Sequence, residues 1–246
     1  MITTEFLPLV LVVLVAFLYA SVGHGGASGY LALMAILGMQ PIFMRPSALI
    51  LNVAVSLISF WQFYRAGFFR WQLFWPFALA SVPLSFVGAT LPISDLLYKK
   101  LLAAALLLAV ARMVFQNTER PTTVFYSSQR LAVSLLIGGG IGLLSGMLGI
   151  GGGIILTPML LLLGWGAIKE VAAVSALFIF VNSIAGFAGL LTKGYVPNQL
   201  TFWWLGAALV GGLAGGYFGS HKYSLQTLRY ALTVGLLIAV GKLFFT

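Results

Sequence analysis

The chain has 246 residues, of which 61% are hydrophobic and only 7% carry a charge. A soluble domain normally has about a quarter of its residues charged, because polar side chains must cover its surface. The composition therefore excludes a soluble globular protein and predicts an all-α, polytopic membrane protein with about eight to ten helical segments.

The net charge of +9 comes from 13 basic and 4 acidic residues. The basic residues are scattered over predicted loops and helix ends rather than clustered. We interpret them as topology signals and contacts to anionic lipids of the bilayer, and we predict no nucleic-acid partner. The chain has no cysteine, which excludes disulfides, Cys-ligated metals and thiol catalysis. No cofactor and no metal site are predicted.

Hydropathy divides the first half into five apolar segments. The first, 6–22, is long enough to span a bilayer, and no basic region precedes it, so it is predicted to be a retained helix rather than a signal peptide. A glycine-rich break from Gly23 to Gly29 leads into an apolar run that ends near Met39. This run is too short to cross about 30 Å of hydrocarbon. Three full-length segments follow, at 46–64, 71–91 and 96–115.

The stretch 116–129 is the most polar in the chain. We interpret it as a linker between a first membrane repeat, 1–115, and a second, 130–246. The second half repeats the order of the first, with a spanning run, a glycine break and a short run. Its segments are predicted at 131–148, 154–165, 171–192, 200–219 and 225–245.

Individual residues of the two halves also correspond. Ser47 and Asn52 in the first half resemble Ser175 and Asn182 in the second. The matching order and the matching residues indicate an internal duplication.

The orientation of the two repeats depends on the broken segment pairs. If each pair forms a hairpin, each half crosses an odd number of times and the halves are inverted. Lys and Arg then divide eight to five between the two sides, against seven to six for parallel halves. The positive-inside rule weakly favours the inverted arrangement, with a cytoplasmic linker. The five basic residues on the opposite side are Arg45, Lys99, Lys100, Lys193 and Lys242.

The glycine breaks are the strongest indication of a binding site. Non-helical backbone at membrane depth is tolerated only when it is buried in protein or lines a wet cavity. Glycines let the chain turn sharply and present N–H groups at the start of the next helix, where about half a positive charge resides. Two facing breaks predict a site for a small oxyanion that needs no buried arginine; the alternative is that the glycines only permit close helix packing. The glycines concerned are Gly23, Gly25, Gly26, Gly149, Gly151, Gly152 and Gly153.

Neutral polar side chains near the breaks are further candidates for substrate binding. Asn52 and Asn182 lie mid-helix with Ser47 and Ser175 close by, and all four can donate to an oxyanion or, alternatively, bond between helices. Ser28 follows the first break. His24 lies within that break and is predicted to donate to substrate or to carry a proton, the alternative being a structural cap. These residues complete the predicted site.

The four carboxylates lie at segment ends or in loops. A cation transporter usually needs an acidic group at membrane depth. Their positions therefore argue against Na⁺ or Ca²⁺ exchange and against a carboxylate proton relay. They are Glu5, Asp95, Glu119 and Glu170.

An intramembrane serine protease is a further alternative, because the stretch Gly26-Ala-Ser-Gly29 matches the G-x-S-G signature of the rhomboid type. Ser28 would be the nucleophile. The repeat opposes this interpretation, since the corresponding stretch Gly152-Gly-Ile-Ile155 has no hydroxyl.

The stretch from Gly142 to Pro158, GLLSGMLGIGGGIILTP, resembles the signature of the sulfite exporter TauE/SafE family, also called the toluene-sulfonate uptake permease family. The first half departs from that signature, with Ala27 for the third glycine and Ala32 for the proline. The resemblance implies an inner-membrane permease for sulfite, sulfonate or sulfoacetate that works by alternating access. An anion channel and the protease remain alternatives. The transport direction, the coupling ion and whether the chain forms a homo-oligomer are left open.

Overall fold

The computed structural model describes residues 2–115, 128–197 and 199–221, and within these ranges the chain forms nine α-helices and no strand. The first half contains α1 (Ile2–Ser21), α2 (Ala27–Ile36), α3 (Pro41–Arg65), α4 (Trp71–Thr90) and α5 (Asp95–Phe115). The second half contains α6 (Ser128–Leu148), α7 (Gly153–Leu162), α8 (Ile168–Leu191) and α9 (Leu200–His221). The predicted all-α class is therefore confirmed.

Two predicted stretches of the chain, the linker and the last helical segment, fall largely outside the described residues. The last one, 225–245, and linker residues 116–127 lie outside the described residues. Helix α6 already begins at Ser128, two residues before the second repeat was predicted to start.

Five of the described helices are long and apolar enough to cross a membrane: α3, α4, α6, α8 and α9. Helices α2 and α7 have 10 residues each. At 1.5 Å per residue they rise about 15 Å, half of a bilayer core, which agrees with the short runs expected from hydropathy. The chain is a multi-pass membrane protein.

Helix α3 begins five residues earlier than hydropathy predicts. It starts at Pro41 and contains Pro46, the residue at which the segment was expected to begin. A proline at the first helical position lacks only an N–H that would be unpaired there, and its fixed φ suits the helix. The earlier start brings Arg45 into the helix.

Glycines at every fourth residue allow two close helix pairs. In each pair the added Cβ of a glycine would strike the backbone of the facing helix. Between α6 and α4 the facing residues are Gly138 with Phe77, Gly142 with Ser81 and Gly146 with Ser85. Between α9 and α1 they are Gly211 with Val13, Gly215 with Phe17 and Gly219 with Ser21. Residue numbers rise together in both pairs, so α4 runs parallel to α6 and α9 runs parallel to α1.

Helices α3 and α8 cross the middle of the protein in opposite directions. Their facing residues are Leu49 with Gly186, Asn52 with Ser183 and Phe63 with Ala172. Helix α9 runs parallel to α3, since Ser47 faces Thr201 and Val55 faces Gly212. Helices α1, α9 and α3 therefore share one direction. Because α1 and α3 run the same way, the chain must reverse between them, and α1 and α2 form a hairpin.

The same reasoning applies to the second half. Helix α4 runs parallel to α8, because Ser85 bonds to Asn182 and Phe86 lies against Gly189 further along both helices. Helices α4, α6 and α8 therefore share the other direction, and α6 with α7 forms a second hairpin. In both halves the glycine break is the tip of a hairpin that ends inside the helix bundle.

The glycine contacts predict a difference between two alanine variants of α6. Gly142→Ala is expected to destabilise the protein by about 1–3 kcal/mol or more, because its Cβ meets the backbone of Ser81. A Cβ at Gly140 meets nothing within 4 Å, and Gly140→Ala is expected to stabilise α6 slightly. Thermal unfolding of the purified variants in detergent measures both effects. Equal melting temperatures for the two variants would contradict this packing.

Candidate functional site

Both short helices begin at a glycine in the left-handed conformation. Gly26 precedes α2 with φ 97°, and Gly152 precedes α7 with φ 79°. Residues with a Cβ rarely adopt this conformation, so the turn into each short helix requires glycine. Neither helix start is capped by the side chain of its N-cap residue. The first amides of α2 and α7 therefore depend on groups from elsewhere in the protein.

The two breaks meet on one pair of side chains, Asn52 of α3 and Ile179 of α8. A Cβ at Gly151 would lie 2.5 Å from Asn52 Nδ2 and 2.8 Å from Ile179 Cγ2. A Cβ at Gly25 would strike the same two side chains. Gly153 also lies against Ile179. The structure thus brings the two predicted cradles together at the centre of the bundle.

The amide of Asn52 connects both breaks to α8. Its Oδ1 accepts a hydrogen bond from the backbone N–H of Ala27 at 2.9 Å, at the start of α2. Its Nδ2 donates to Ser183 Oγ at 3.2 Å and lies 3.4 Å from the carbonyl oxygen of Ile150 in the second break. The residue is 1% exposed. In this conformation, an anion can use the Ala27 N–H only by displacing the Asn52 oxygen.

His24 belongs to a second polar group beside this contact. Its Nε2 lies 3.2 Å from Thr157 Oγ1, and Thr157 Oγ1 lies 2.7 Å from Ser175 Oγ. The Thr157 hydroxyl also lies 2.8 Å from the carbonyl oxygen of Gly153, to which it donates. The structure therefore joins His24 to Ser175 through Thr157, a residue that the sequence analysis missed. The sequence feature that could have identified Thr157 is its position one turn into α7, within the stretch that resembles the family signature.

Three candidates bond to neighbouring helices instead. Ser28, Ser47 and Asn182 are all buried. The partners are Tyr19 OH for Ser28 at 2.6 Å, Thr201 Oγ1 for Ser47 at 2.6 Å, and Ser81 Oγ for Asn182 at 2.7 Å. These contacts correspond to the interhelical alternative. The Ser28 hydroxyl is thus bonded to a tyrosine rather than to a histidine base.

Asn182 does not occupy the position that mirrors Asn52. Ile179, three residues earlier on α8, contacts the same breaks as Asn52 does. Three residues are nearly one helical turn, so Ile179 and Asn182 lie on a similar side of α8. Sequence similarity alone therefore does not show which of the two faces the breaks. The centre of the site therefore has one amide and one aliphatic side chain, and the two halves contribute unequally.

The profile described as "Sulfite exporter TauE/SafE" matches residues 8–243 of the chain. The protein belongs to the sulfite exporter TauE/SafE family. A "Probable membrane transporter protein y4hK" of Sinorhizobium fredii (strain NBRC 101917 / NGR234) is 35% identical over 232 residues, covering 93% of this chain and 94% of the relative. No solved structure matches the chain. The resemblance seen in the sequence is confirmed, and the protein is a membrane transporter.

Among the described residues of this TauE/SafE protein, Arg45 is a cation inside the bundle. Arg45 is predicted to be one of the loop and helix-end charges; the structure places it near the start of α3, but buried, with only 3% of the residue exposed. Since α3 starts at Pro41, Arg45 lies within the helix and reaches inward. Its Nη2 donates to the carbonyl oxygens of Ala89 at 3.2 Å and Gly146 at 3.1 Å. A buried guanidinium therefore lies near the second glycine break.

The described carboxylates of the TauE/SafE chain lie where the sequence placed them. Asp95 is the first residue of α5, and Glu170 lies in the first turn of α8. Glu170 accepts a hydrogen bond from the Ala167 N–H and pairs at 2.8 Å with Arg70, whose side chain is 59% exposed. The side chain of Glu5 and the residue Glu119 lie outside the described part of the chain.

Proposed function

We propose that the protein is a secondary transporter that moves a small sulfur-containing anion, of the sulfite, sulfonate or sulfoacetate type, across the cytoplasmic membrane by alternating access. The observation that carries this proposal is the meeting of both glycine breaks on Asn52. In transporters built from two repeats, interrupted helices in matching positions mark the binding site near the bilayer midplane.

The proposal includes an inverted repeat. The antiparallel run of α3 and α8, the third helix of each half, supports a two-fold axis in the membrane plane. The helix pairing between the halves supports it as well. The fourth helix of each half packs on the first helix of the other, α4 on α6 and α9 on α1. A hairpin starts each half, and with the predicted segment 225–245 counted as a further crossing, each half would cross an odd number of times. With this symmetry, the site between the two breaks can open to one side of the membrane and then to the other by equivalent movements of the two halves.

Substrate binding begins with an exchange of hydrogen bonds at Asn52. The anion takes the Ala27 N–H from Asn52 Oδ1, and the amides around Gly25, Gly26, Gly152 and Gly153 add further donors. Asn52 then turns its Nδ2 towards the anion. Neutral donors suit a site that must release its guest on the opposite side, because no fixed charge pair has to be broken at each cycle.

The direction of transport sets the need for coupling. Export of an anion from a negative interior is favoured by about 2.3 kcal/mol per charge per 100 mV. Uniport therefore suffices for export, whereas uptake needs a coupled ion or proton. His24 is the side chain proposed to carry that proton, because its ring lies at the break and bonds to Thr157.

Counterflow in proteoliposomes tests the proposed function. Vesicles preloaded with unlabelled sulfoacetate or sulfite should take up the labelled anion faster than empty vesicles, and uptake should saturate. Ohmic currents without counterflow would indicate an anion channel. Cleavage of a model transmembrane peptide that is lost in Ser28→Ala would indicate a protease. Either outcome would overturn the transporter mechanism.

The proton-carrier role predicts a selective loss in His24→Gln. This variant should lose uptake driven by an inward proton gradient between about pH 5.5 and pH 8, because glutamine does not titrate. Counterflow at equal pH on both sides should remain, since glutamine still bonds to Thr157. Comparing the two assays on one preparation measures the effect. Retained gradient-driven uptake would contradict the assignment.

A further inference from the structure

A cavity of about 250 Å³ opens beside the start of α3, on the side of the bundle where α4 and α8 end. The residues that line it include Gln40, Arg45, Asp95, Tyr98 and Tyr195. Its volume is below the range of about 300–1,000 Å³ that holds drug-sized ligands. A guest with a single charged head group therefore fits it best.

Arg45 lines the cavity as a buried cation without a matching anion. Its two described hydrogen bonds go to backbone carbonyls, and its Nε has no hydrogen-bond partner. In the described part of the chain, the ion pair found is Arg70 with Glu170, and no carboxylate lies within 4 Å of Arg45. Burying a guanidinium without a counter-ion costs several kcal/mol. Such charges inside membrane proteins mark substrate and ion pathways.

The surroundings of Arg45 suit an oxyanion. A guanidinium presents planar N–H donors that match two oxygens of a sulfonate, sulfite or carboxylate group. The ring of Tyr195 lies 5.8 Å from Arg45 Cζ and holds the guanidinium from one side. Tyr98 OH donates to the carbonyl oxygen of Leu148, which ties the cavity wall to the end of α6. The Arg45 Nε–H remains for a ligand oxygen.

The cavity also adjoins the second glycine break. A Cβ at Gly149 would lie 3.2 Å from Arg45 Cα, and the Gly146 carbonyl that Arg45 bonds lies in the last turn of α6 before that break. At the first break, Gly23 faces Ala172 in the same manner. Within the described residues, a buried arginine therefore lies beside the second break and an alanine beside the first, so the surroundings of the two breaks differ in charge.

We infer that Arg45 binds the anionic head group of the substrate in this cavity, as a first site on one side of the membrane before the anion reaches the breaks. This inference rests on the proposed anion transport. Asp95 at the mouth of the cavity opposes the anion and limits how tightly it is held, which favours onward transfer. The ligand class is a small monovalent or divalent oxyanion, and sulfite and methanesulfonate are suitable probes.

Calorimetric titration of the full-length protein in detergent tests the assignment. Wild-type protein should bind sulfite or methanesulfonate at low ionic strength, and Arg45→Gln should bind about tenfold or more weakly, because a charged hydrogen bond is lost. The matched control is Arg65→Gln at the other end of α3, where the guanidinium lies over the Trp61 ring, and it should bind as wild type does. Unchanged affinity in Arg45→Gln would overturn the inference.

A second variant keeps the test valid if Arg45→Gln does not fold. Asp95 is exposed at a helix start, so Asp95→Asn should fold normally. It should bind the anion about twofold to fivefold more tightly at low ionic strength, because a like charge is removed. Equal or weaker binding would overturn the inference.

Different results would overturn the Arg45 site and the proposed transport function. Anion counterflow with wild-type affinity in Arg45→Gln removes only the Arg45 site and leaves the transporter. Absence of both counterflow and anion binding in the wild-type protein removes both.

Discussion

Replacing Asn52 by leucine is expected to reduce anion counterflow by about 100-fold or more. The change leaves the Ala27 N–H, the Ile150 carbonyl and the Ser183 hydroxyl without their shared partner at the centre of the bundle. Each buried polar group left unpaired costs about 1–3 kcal/mol. The substrate also loses the donor proposed to receive it. The measurement is the counterflow rate per amount of monodisperse protein in the vesicles.

Two companion variants separate the substrate role of Asn52 from a structural one. Asn52→Asp keeps an oxygen that accepts from Ala27 but replaces the Nδ2 donor with a second oxygen, which repels the anion when it is ionised. It should therefore fail to transport, and its yield of monodisperse protein is compared with that of Asn52→Leu. Ser56→Ala is the matched control, because Ser56 is buried one turn further along α3 and, within the described residues, its hydroxyl donates to the Val53 carbonyl of its own helix. Wild-type counterflow in Asn52→Leu would remove the residue from the site.

Gly151→Ala is expected to be strongly destabilising. Gly151 has φ 71°, and its added Cβ would lie 2.5 Å from Asn52 Nδ2, 2.8 Å from Ile179 Cγ2 and 2.9 Å from Ser183 Oγ. The left-handed conformation alone costs about 1–2 kcal/mol for a residue with a Cβ. Overpacking adds about 1–3 kcal/mol. Thermal unfolding in detergent and the yield of monodisperse protein measure the loss.

Comparison with Gly194→Ala isolates the packing part of that effect. Gly194 has nearly the same backbone, with φ 75°, but nothing lies within 4 Å of its added Cβ. It should therefore show only the conformational cost. The difference in unfolding free energy between the two variants then reports how tightly the second break packs on Asn52. No difference would contradict the packing of the second break on Asn52.

Much of the fold follows from local patterns. The described helices α4 to α9 begin and end within about three residues of the predicted segments, because glycine, proline and charge interrupt apolar runs where helices end. Helices α1 and α3 are the exceptions, since they begin about four and five residues before the predicted segments. In α3, Arg45 and Pro46 signal a boundary by composition, but the bundle interior accommodates both. The short helices α2 and α7 were foreseen because their length is a property of the run itself.

In the candidate site, too, the backbone features were predictable from local sequence, whereas the side-chain contacts were not. Five of the seven break glycines have a positive φ, which only glycine adopts readily: Gly23, Gly26, Gly149, Gly151 and Gly152. Gly25 and Gly153 have no positive φ and lie against Ile179 instead. The polar side chains were less predictable. Asn52 and Asn182 look equivalent in sequence, yet Asn52 joins the two breaks whereas Asn182 bonds to Ser81 on α4. A difference of 100° in helical position per residue decides which neighbour a side chain meets.

By itself, the sequence determined the membrane environment, the helix lengths, the repeated glycine breaks and the family, because composition and short motifs carry those properties locally. Only the tertiary structure decided that the breaks meet on Asn52 and Ile179, that Thr157 links His24 to Ser175, and that Arg45 is buried beside Gly149. Asn52 and Ser183 are 131 positions apart in the chain. Such contacts depend on how parallel and antiparallel helices are placed against one another, and helix placement is set by the packing of the whole bundle.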